Sequence, residues 1–198
     1  MQARRIGGVA LLGALLVTAL SAQETEVYKD AGRPVEERVA DLLGRMTLEE
    51  KVAQMVSFWE KKGELIDEEG RFVAEQASEA MPHGVGQIAR PSDNIGRDMS
   101  EVDTAGMTPT RTPREAVELV NAIQRYLVEE TRLGIPAMMH EEGLHGFQAS
   151  DATVFPQAIA LAATWDPELV ERVYAVVARE IRARGAHQAL TPVVDVAR

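Results

Sequence analysis

The sequence predicts an α/β fold built on a parallel β-sheet, because segments with helical periodicity alternate with short apolar runs. One apolar run, residues 135–139, follows a helical segment after Gly134 and has the length of a buried strand. It leads directly into two histidines and two glutamates. Ligands of α/β folds bind at the carboxyl ends of the strands, so this polar cluster is the candidate site.

Composition excludes several classes of function. The chain has 198 residues, of which 21 are basic and 31 acidic, for a formal net charge of -10. This charge argues against a nucleic-acid partner held through its phosphates. Cysteine is absent, which excludes disulfides and thiolate metal sites. The hydrophobic content of 45% is typical of a globular protein.

Residues 1–22 have the three-part pattern of a secretory signal peptide. Arg4 and Arg5 form a positive start, residues 6–20 are mostly apolar, and residues 19–22 are small enough for cleavage. The alternative, a transmembrane anchor, is disfavoured because the apolar stretch is short. We therefore expect a periplasmic or secreted domain, residues 23–198, with no membrane segment after cleavage. Export by the general or the twin-arginine route stays open.

Two helices are predicted at the start of this domain. The first begins at Pro34, and the second at Thr47, which forms a capping box with Glu50. Each helix has an apolar face at helical spacing. The first face consists of Val35, Val39, Leu42, Leu43 and Met46, and the second of Leu48, Val52, Met55, Val56 and Trp59. We expect the methionines of these faces to be core residues.

The middle of the chain is predicted to consist mostly of loops. Residues 60–79 are charged and weakly periodic, which indicates a surface loop with room for one short helix. Residues 84–89 are predicted to form a strand whose glycines suggest close backbone approach or a bulge. Residues 91–113 are polar, which indicates a long, mobile loop.

A long helix is predicted before the polar cluster. Thr112 and Glu115 form a second capping box around Pro113, and the apolar periodicity continues to Gly134, which is expected to end the helix. Residues 135–139 are then predicted to form a strand. Beyond the cluster, residues 155–163 are apolar and expected to be buried.

The last helix and strand complete the alternation. Asp166 and Pro167 start a helix, Gly185 ends it, and residues 188–196 are rich in β-forming side chains. Nothing follows Arg198 to cover or pair this strand, although parallel strands are normally buried. We therefore expect the chain to be an incomplete piece of its fold.

His140, Glu141, Glu142 and His145 leave three interpretations open. A zinc site of the metalloprotease type needs histidines at i and i+4, whereas these stand at i and i+5, about 140° apart on an ideal helix. A metallohydrolase using His140, Glu142 and His145 is therefore a weak alternative. A carboxylate at a strand end can instead accept two sugar hydroxyls, and only one of two neighbouring strand residues can face a pocket. The third interpretation is a strand end with solvated carboxylates.

Six blocks of the sequence together resemble the N-terminal domain of glycoside hydrolase family 3. They include LGIP, HEEGLHG, FPQ and AATWDP, and their order and spacing match the family. The blocks are residues 46–51, 132–136, 140–146, 155–157, 162–167 and 191–198.

The resemblance implies a fold and an activity. The fold is α/β, the N-terminal portion of a (β/α)8 barrel of the TIM type. The activity is that of an exo-acting, retaining β-glucosidase or β-xylosidase with two catalytic carboxyl groups and no cofactor or metal. The substrate would be a β-linked oligosaccharide or glycoside.

The resemblance also implies roles for two residues of the cluster. The acidic residue before Leu-His-Gly holds hydroxyls of the terminal sugar in the family, and this position is Glu142, where the family often carries Asp. His145 is expected to support the pocket, although a purely structural role is nearly as well founded. Both catalytic carboxyl groups would lie beyond Arg198, and Asp195 is expected to be a strand-end hydrogen-bonding residue.

Without those two carboxyl groups, the 198-residue chain is expected to be inactive alone. The alternative function is a secreted, non-catalytic carbohydrate-binding protein.

Overall fold

The computed structural model describes residues 26–93 and 110–194. The expected signal peptide, most of the expected 91–113 loop and Asp195 lie outside these ranges. The described helices are α1 (Val35–Arg45), α2 (Leu48–Ala53), α3 (Ala74–Ala80), α4 (Pro113–Glu130), α5 (Ala158–Ala162) and α6 (Pro167–Ala183). The described strands are β1 (Ser57–Phe58), β2 (Gln87–Ala89), β3 (Met138–Glu142) and β4 (Gln188–Leu190), and short 3-10 helices span Val27–Lys29 and Glu60–Leu65. No helix within the described ranges is both long and apolar enough to cross a membrane.

The chain divides into two compact units at Gly44. In the first unit, the Tyr28 backbone N–H donates to the Asp41 carboxylate at 3.0 Å, and Arg38 Nε donates to the Tyr28 carbonyl at 3.0 Å. These contacts hold the segment around Tyr28 against α1. The second unit begins at Arg45 and contains the sheet.

The four strands form one parallel sheet in the order β1-β2-β3-β4. Helix α4 connects β2 to β3, and α6 lies in the connection from β3 to β4. The predicted parallel α/β alternation is therefore confirmed. Because all strands run the same way, their carboxyl ends meet at one edge of the sheet.

The core of this unit lies between one face of the sheet and the helices. Ile88 of β2 and Met139 of β3 are fully buried against Ile123 of α4 and Val177 of α6. Burying each such side chain stabilises the fold by about 1.5–3 kcal/mol. The helices thus cover one face of the strands and leave the other face for polar side chains.

Both predicted capping boxes are present. Thr47 Oγ1 accepts from the Glu50 N–H at 3.2 Å, and the Glu50 carboxylate accepts from the Thr47 N–H at 2.8 Å. The Thr112–Glu115 box has the same pattern. Glu50 also accepts from Arg132 Nε at 2.8 Å, and this guanidinium lowers the pKa of the Glu50 carboxyl. One carboxylate therefore caps α2 and ties it to the segment that precedes β3.

The two predicted boundaries next to the polar cluster were wrong. Helix α4 ends at Glu130 and not at Gly134, because Thr131 turns extended and its hydroxyl bonds the Leu127 carbonyl. Strand β3 spans Met138–Glu142 and not residues 135–139, because pairing with both β2 and β4 selects the later residues. The polar residues therefore belong to the strand.

Several burial predictions were also wrong. Met46 is buried as expected, but Met55 of the expected core is 86% exposed, and Ile159 of the apolar run 155–163 is exposed as well. Helix α2 ends at Ala53, so the expected apolar face does not continue as one helical surface. The expected surface loop at residues 60–79 contributes the buried side chains of Leu65 and Lys62. Periodicity reports which residues share a face, whereas burial depends on what covers that face.

Gly86 should not tolerate a side chain. A Cβ atom there would lie 1.9 Å from the Gln54 carbonyl oxygen, which is backbone that cannot move aside without moving the end of α2. We expect Gly86→Ala to lower the free energy of unfolding by about 1–3 kcal/mol in urea titrations.

The matched control is Gly44→Ala, where no heavy atom lies within 4 Å of the new methyl group. Alanine is the better helix former, so stability should stay constant or rise by up to about 1 kcal/mol. Equal stability of Gly86→Ala and the parent chain would contradict the close approach.

Candidate functional site

Strand β3 separates its polar side chains between two faces of the sheet. Met139 and Glu141 are 0% and 2% exposed on the helix-covered face, whereas His140 and Glu142 are half-buried on the opposite face. The two glutamates therefore point in opposite directions, as alternation along a strand predicts.

Glu141 belongs to a buried polar cluster, which we define as Lys62, Asp93, Arg111 and Glu141. The Ser92 backbone N–H donates to Glu141 Oε1 at 2.9 Å. Burial raises the pKa of the Glu141 carboxyl to about 7, against the opposing effect of the Ser92 N–H hydrogen bond and of the Lys62 charge. Glu141 is therefore a structural residue that joins β3 to the loop after β2.

Lys62 and Asp93 form the centre of the buried polar cluster. Their side chains are each 1% exposed and make a direct ion pair. Lys62 Nζ also donates to the carbonyls of Arg90 at 2.8 Å and Ala89 at 3.3 Å. Burial lowers the pKa of the Lys62 ammonium to about 8, although the Asp93 charge raises it. Arg111 Nη1 donates to the carbonyls of Pro91, at 3.1 Å, and Asp93.

The buried polar cluster was missed by sequence reasoning. Lys62 lies in a charged stretch that resembles an exposed loop, and its partner Asp93 is 31 residues away. The available signal was the Ser-Asp pair shortly after a strand, which is typical of a backbone-bonded turn.

The opposite face of β3 carries His140 and Glu142. His140 Nε2 lies 3.4 Å from the Ser57 hydroxyl of β1, and burial lowers the pKa of this imidazole, which favours the neutral ring near pH 7. The Glu142 carboxylate makes no hydrogen bond or ion pair with any residue in the ranges 26–93 and 110–194. It is therefore an acceptor that these ranges leave unused.

His145 is held by the backbone of the loop that follows β3. Its Nδ1 lies 3.0 Å from the Phe155 carbonyl, and the Phe155 N–H donates to the His145 carbonyl at 2.7 Å. A carbonyl only accepts, so Nδ1 carries the proton. This contact is a structural role for His145, and contact with a sugar stays a prediction.

The described residues contain no group of three or more His, Cys, Asp or Glu side chains that could hold a metal ion. His140, Glu142 and His145 thus do not form such a group. A groove of about 480 Å³ lies between α2 and residues 80–84, lined by Leu48, Val52 and Met81 among others, away from the end of β3.

Glu141→Gln should remove a pH dependence of stability. The unfolded chain releases this proton near the ordinary value of 4.5, and the folded chain near 7. Between these values the folded chain binds more protons, so the free energy of unfolding falls as pH rises, by up to roughly 3 kcal/mol. Glutamine keeps the acceptor for Ser92 but cannot ionise, so the variant should gain stability relative to the parent across this window.

Urea unfolding of both chains between pH 4.5 and pH 7.5 measures this difference, with the exposed Glu129→Gln as the matched control. A constant stability difference between Glu141→Gln and the parent chain over that range would contradict the assignment.

Comparison with known proteins agrees with this architecture. The family model described as "Glycosyl hydrolase family 3 N terminal domain" matches residues 47–198. Beta-glucosidase C of Emericella nidulans is 32% identical over 95% of this chain, and the periplasmic beta-glucosidase/beta-xylosidase of Dickeya chrysanthemi is 31% identical over 86%. The structure of a β-glucosidase from Erythrobacter marinus superposes on 88% of this chain with a TM-score of 0.65 and 30% identity.

These relatives are much longer than the chain. It spans 30% of the Emericella protein, 25% of the Dickeya protein and 20% of the Erythrobacter protein. Its parallel strands and helices form part of a TIM-type α/β barrel domain, as the resemblance implied. The chain belongs to glycoside hydrolase family 3, and its residues 47–198 match the N-terminal domain of that family.

Proposed function

We propose that this chain supplies part of the sugar-binding site of an exported, retaining β-glycosidase that removes terminal β-glucosyl or β-xylosyl residues. The observation that carries the proposal is the position of Glu142. It ends β3, lies on the face away from the helices, and presents a carboxylate that the described residues leave unbonded.

A carboxylate in this state is suited to a sugar. Two adjacent hydroxyl groups can donate to its two oxygens, and such charge-assisted hydrogen bonds are about twice as strong as neutral ones. Glu141 cannot compete for this role because it is buried and bonded to Ser92 on the other face. His145 would support the pocket by fixing the loop between Glu142 and Phe155.

Hydrolysis with retention needs a nucleophile and an acid/base, both of them carboxyl groups. We assign neither role to a residue of this chain. The contribution of residues 23–198 is then to bind and orient the terminal sugar, so that a carboxylate supplied elsewhere meets its anomeric carbon.

Two observations support export. Residues 1–22 have the composition of a signal peptide. The Dickeya relative is described as periplasmic. We propose that the protein acts in the periplasm or outside the cell after cleavage near Ala22.

Glu142→Gln should weaken sugar binding. The change removes the charge and one acceptor while keeping the shape, and hydrogen bonds to a charged group contribute about 1.5–3 kcal/mol, so affinity should fall roughly 10- to 100-fold. Calorimetric titration with methyl β-D-glucopyranoside and methyl β-D-xylopyranoside measures the effect. The exposed Glu129→Gln is the matched control and should bind like the parent, whereas unchanged affinity of Glu142→Gln would exclude the role of Glu142.

The polypeptide of residues 23–198 should bind these glycosides without hydrolysing them. Incubation with 4-nitrophenyl β-glucoside and β-xyloside should release no nitrophenol above a heat-inactivated control, because neither catalytic carboxyl group is assigned to this chain. Measurable turnover would show that a carboxyl group of this polypeptide acts in catalysis. Binding without turnover also fits the second candidate, a carbohydrate-binding protein. A polypeptide extended in frame past codon 198 separates the two candidates. Turnover by this longer polypeptide supports the glycosidase, and binding without turnover supports the carbohydrate-binding protein.

A further inference from the structure

We propose that Trp59 is the aromatic platform of the sugar site, against which one face of the pyranose ring packs. This inference rests on the proposed function and adds a specific binding residue to it.

Trp59 and Arg90 lie at the carboxyl edge of the sheet. Trp59 directly follows β1, and Arg90 directly follows β2. The Arg90 N–H donates to the His140 carbonyl at 2.7 Å, and Ser57 of β1 approaches the His140 ring at 3.4 Å. Both neighbouring strand ends are thus tied to the strand that carries Glu142.

The Trp59 side chain combines exposure with a fixed orientation. The residue is 41% exposed. Its indole N–H donates to Asp93 Oδ2 at 3.3 Å, and the Arg90 guanidinium lies over the ring at 5.4 Å from its centroid. The polar atom of the indole is therefore already satisfied, and what remains available to a ligand is apolar ring surface.

The contacts that hold Trp59 include a buried charge and a strained backbone conformation. Asp93 is 1% exposed and accepts from Lys62, Arg90 and Trp59 together. The Arg90 backbone has a φ of 48°, a left-handed conformation that residues other than glycine rarely adopt. Strain and buried charge cluster where a structure fixes functional groups. Here the groups that reach the surface from this arrangement are the Trp59 ring and the Arg90 guanidinium.

The shape of the proposed ligand fits this surface. In β-glucosyl and β-xylosyl rings the hydroxyl groups are equatorial and the axial C–H groups form two apolar faces. An indole can cover such a face while carboxylates accept the hydroxyl protons around the ring. Binding sites for small molecules commonly combine apolar walls with a few placed polar groups. Trp59 would supply an apolar wall and Glu142 a polar group.

The chain offers a direct readout, because it contains only two tryptophans. Trp165 is 91% exposed and lies before α6. In Trp165→Phe, all indole fluorescence comes from Trp59. Titration with methyl β-D-glucopyranoside and methyl β-D-xylopyranoside should change this emission saturably, with the dissociation constant that calorimetry gives. Bound sugar should also protect it from acrylamide quenching.

Substitution gives the second test. Trp59→Ala should weaken glycoside binding about 5- to 50-fold, Trp59→Phe should recover most of the loss because a ring remains, and Trp165→Ala should bind like the parent. Circular dichroism spectra and unfolding midpoints identify variants that are not folded. If Trp59→Ala is unfolded, the emission titration of Trp165→Phe decides alone.

The outcomes separate this inference from the proposed function. If neither the parent nor Trp165→Phe binds either glycoside, the proposed function fails and the platform with it. A different result would overturn the platform alone. In that case the glycosides bind and Glu142→Gln lowers their affinity, but Trp59 emission does not change on titration and Trp59→Ala binds like the parent.

Discussion

The buried ion pair between Lys62 and Asp93 is the interaction on which the carboxyl edge of the sheet depends. Removing two charges from water costs several kcal/mol per ion, and the attraction between them compensates only when further hydrogen bonds satisfy both groups. That condition is met here, since Lys62 also donates to two carbonyls and Asp93 also accepts from Trp59. The pair joins the helical turn after β1 to the loop after β2. Loss of one partner would leave an uncompensated buried charge, which typically destabilises a protein by about 3–5 kcal/mol.

Strand β3 carries glutamate at two consecutive positions, and the two side chains have different surroundings. Glu141 faces the helices, where the Ser92 N–H and the Lys62 charge partly offset its burial. Glu142 faces the other way, and its carboxylate accepts no hydrogen bond from the described residues. The difference follows from the geometry of an extended chain, in which neighbours point to opposite faces. A register shift of one residue would exchange the two roles, so the pairing of Glu142 with Leu190 and of His140 with Ala89 also determines which glutamate is available.

The features that the sequence predicted well are local ones. Both capping boxes need only residues i and i+3, and the parallel sheet follows from the order of helices and strands. The features that it missed depend on distant partners. Nothing near Lys62 indicates that Asp93 will bury it, and the two-residue strand β1 exists only because β2 pairs with it. The strand that carries the polar cluster was predicted three residues early, because apolar residues alone were taken as the strand.

The buried polar cluster also explains how ligand-binding groups can be rigid without being bonded to one another. A polar atom whose hydrogen bonds are all made within the protein is no longer free to bond a ligand, whereas a mobile group loses entropy when the ligand binds. Here the fixed contacts lie beneath the surface, in the backbone of residues 90–93 and in Asp93, and the groups above them are oriented through that backbone. The loss of freedom therefore occurs on folding and not on binding. A site needs this arrangement if it must hold a weakly interacting ring in one orientation. The same need accounts for the strained backbone of Arg90, which lies in a part of the chain that adds little to the hydrophobic core.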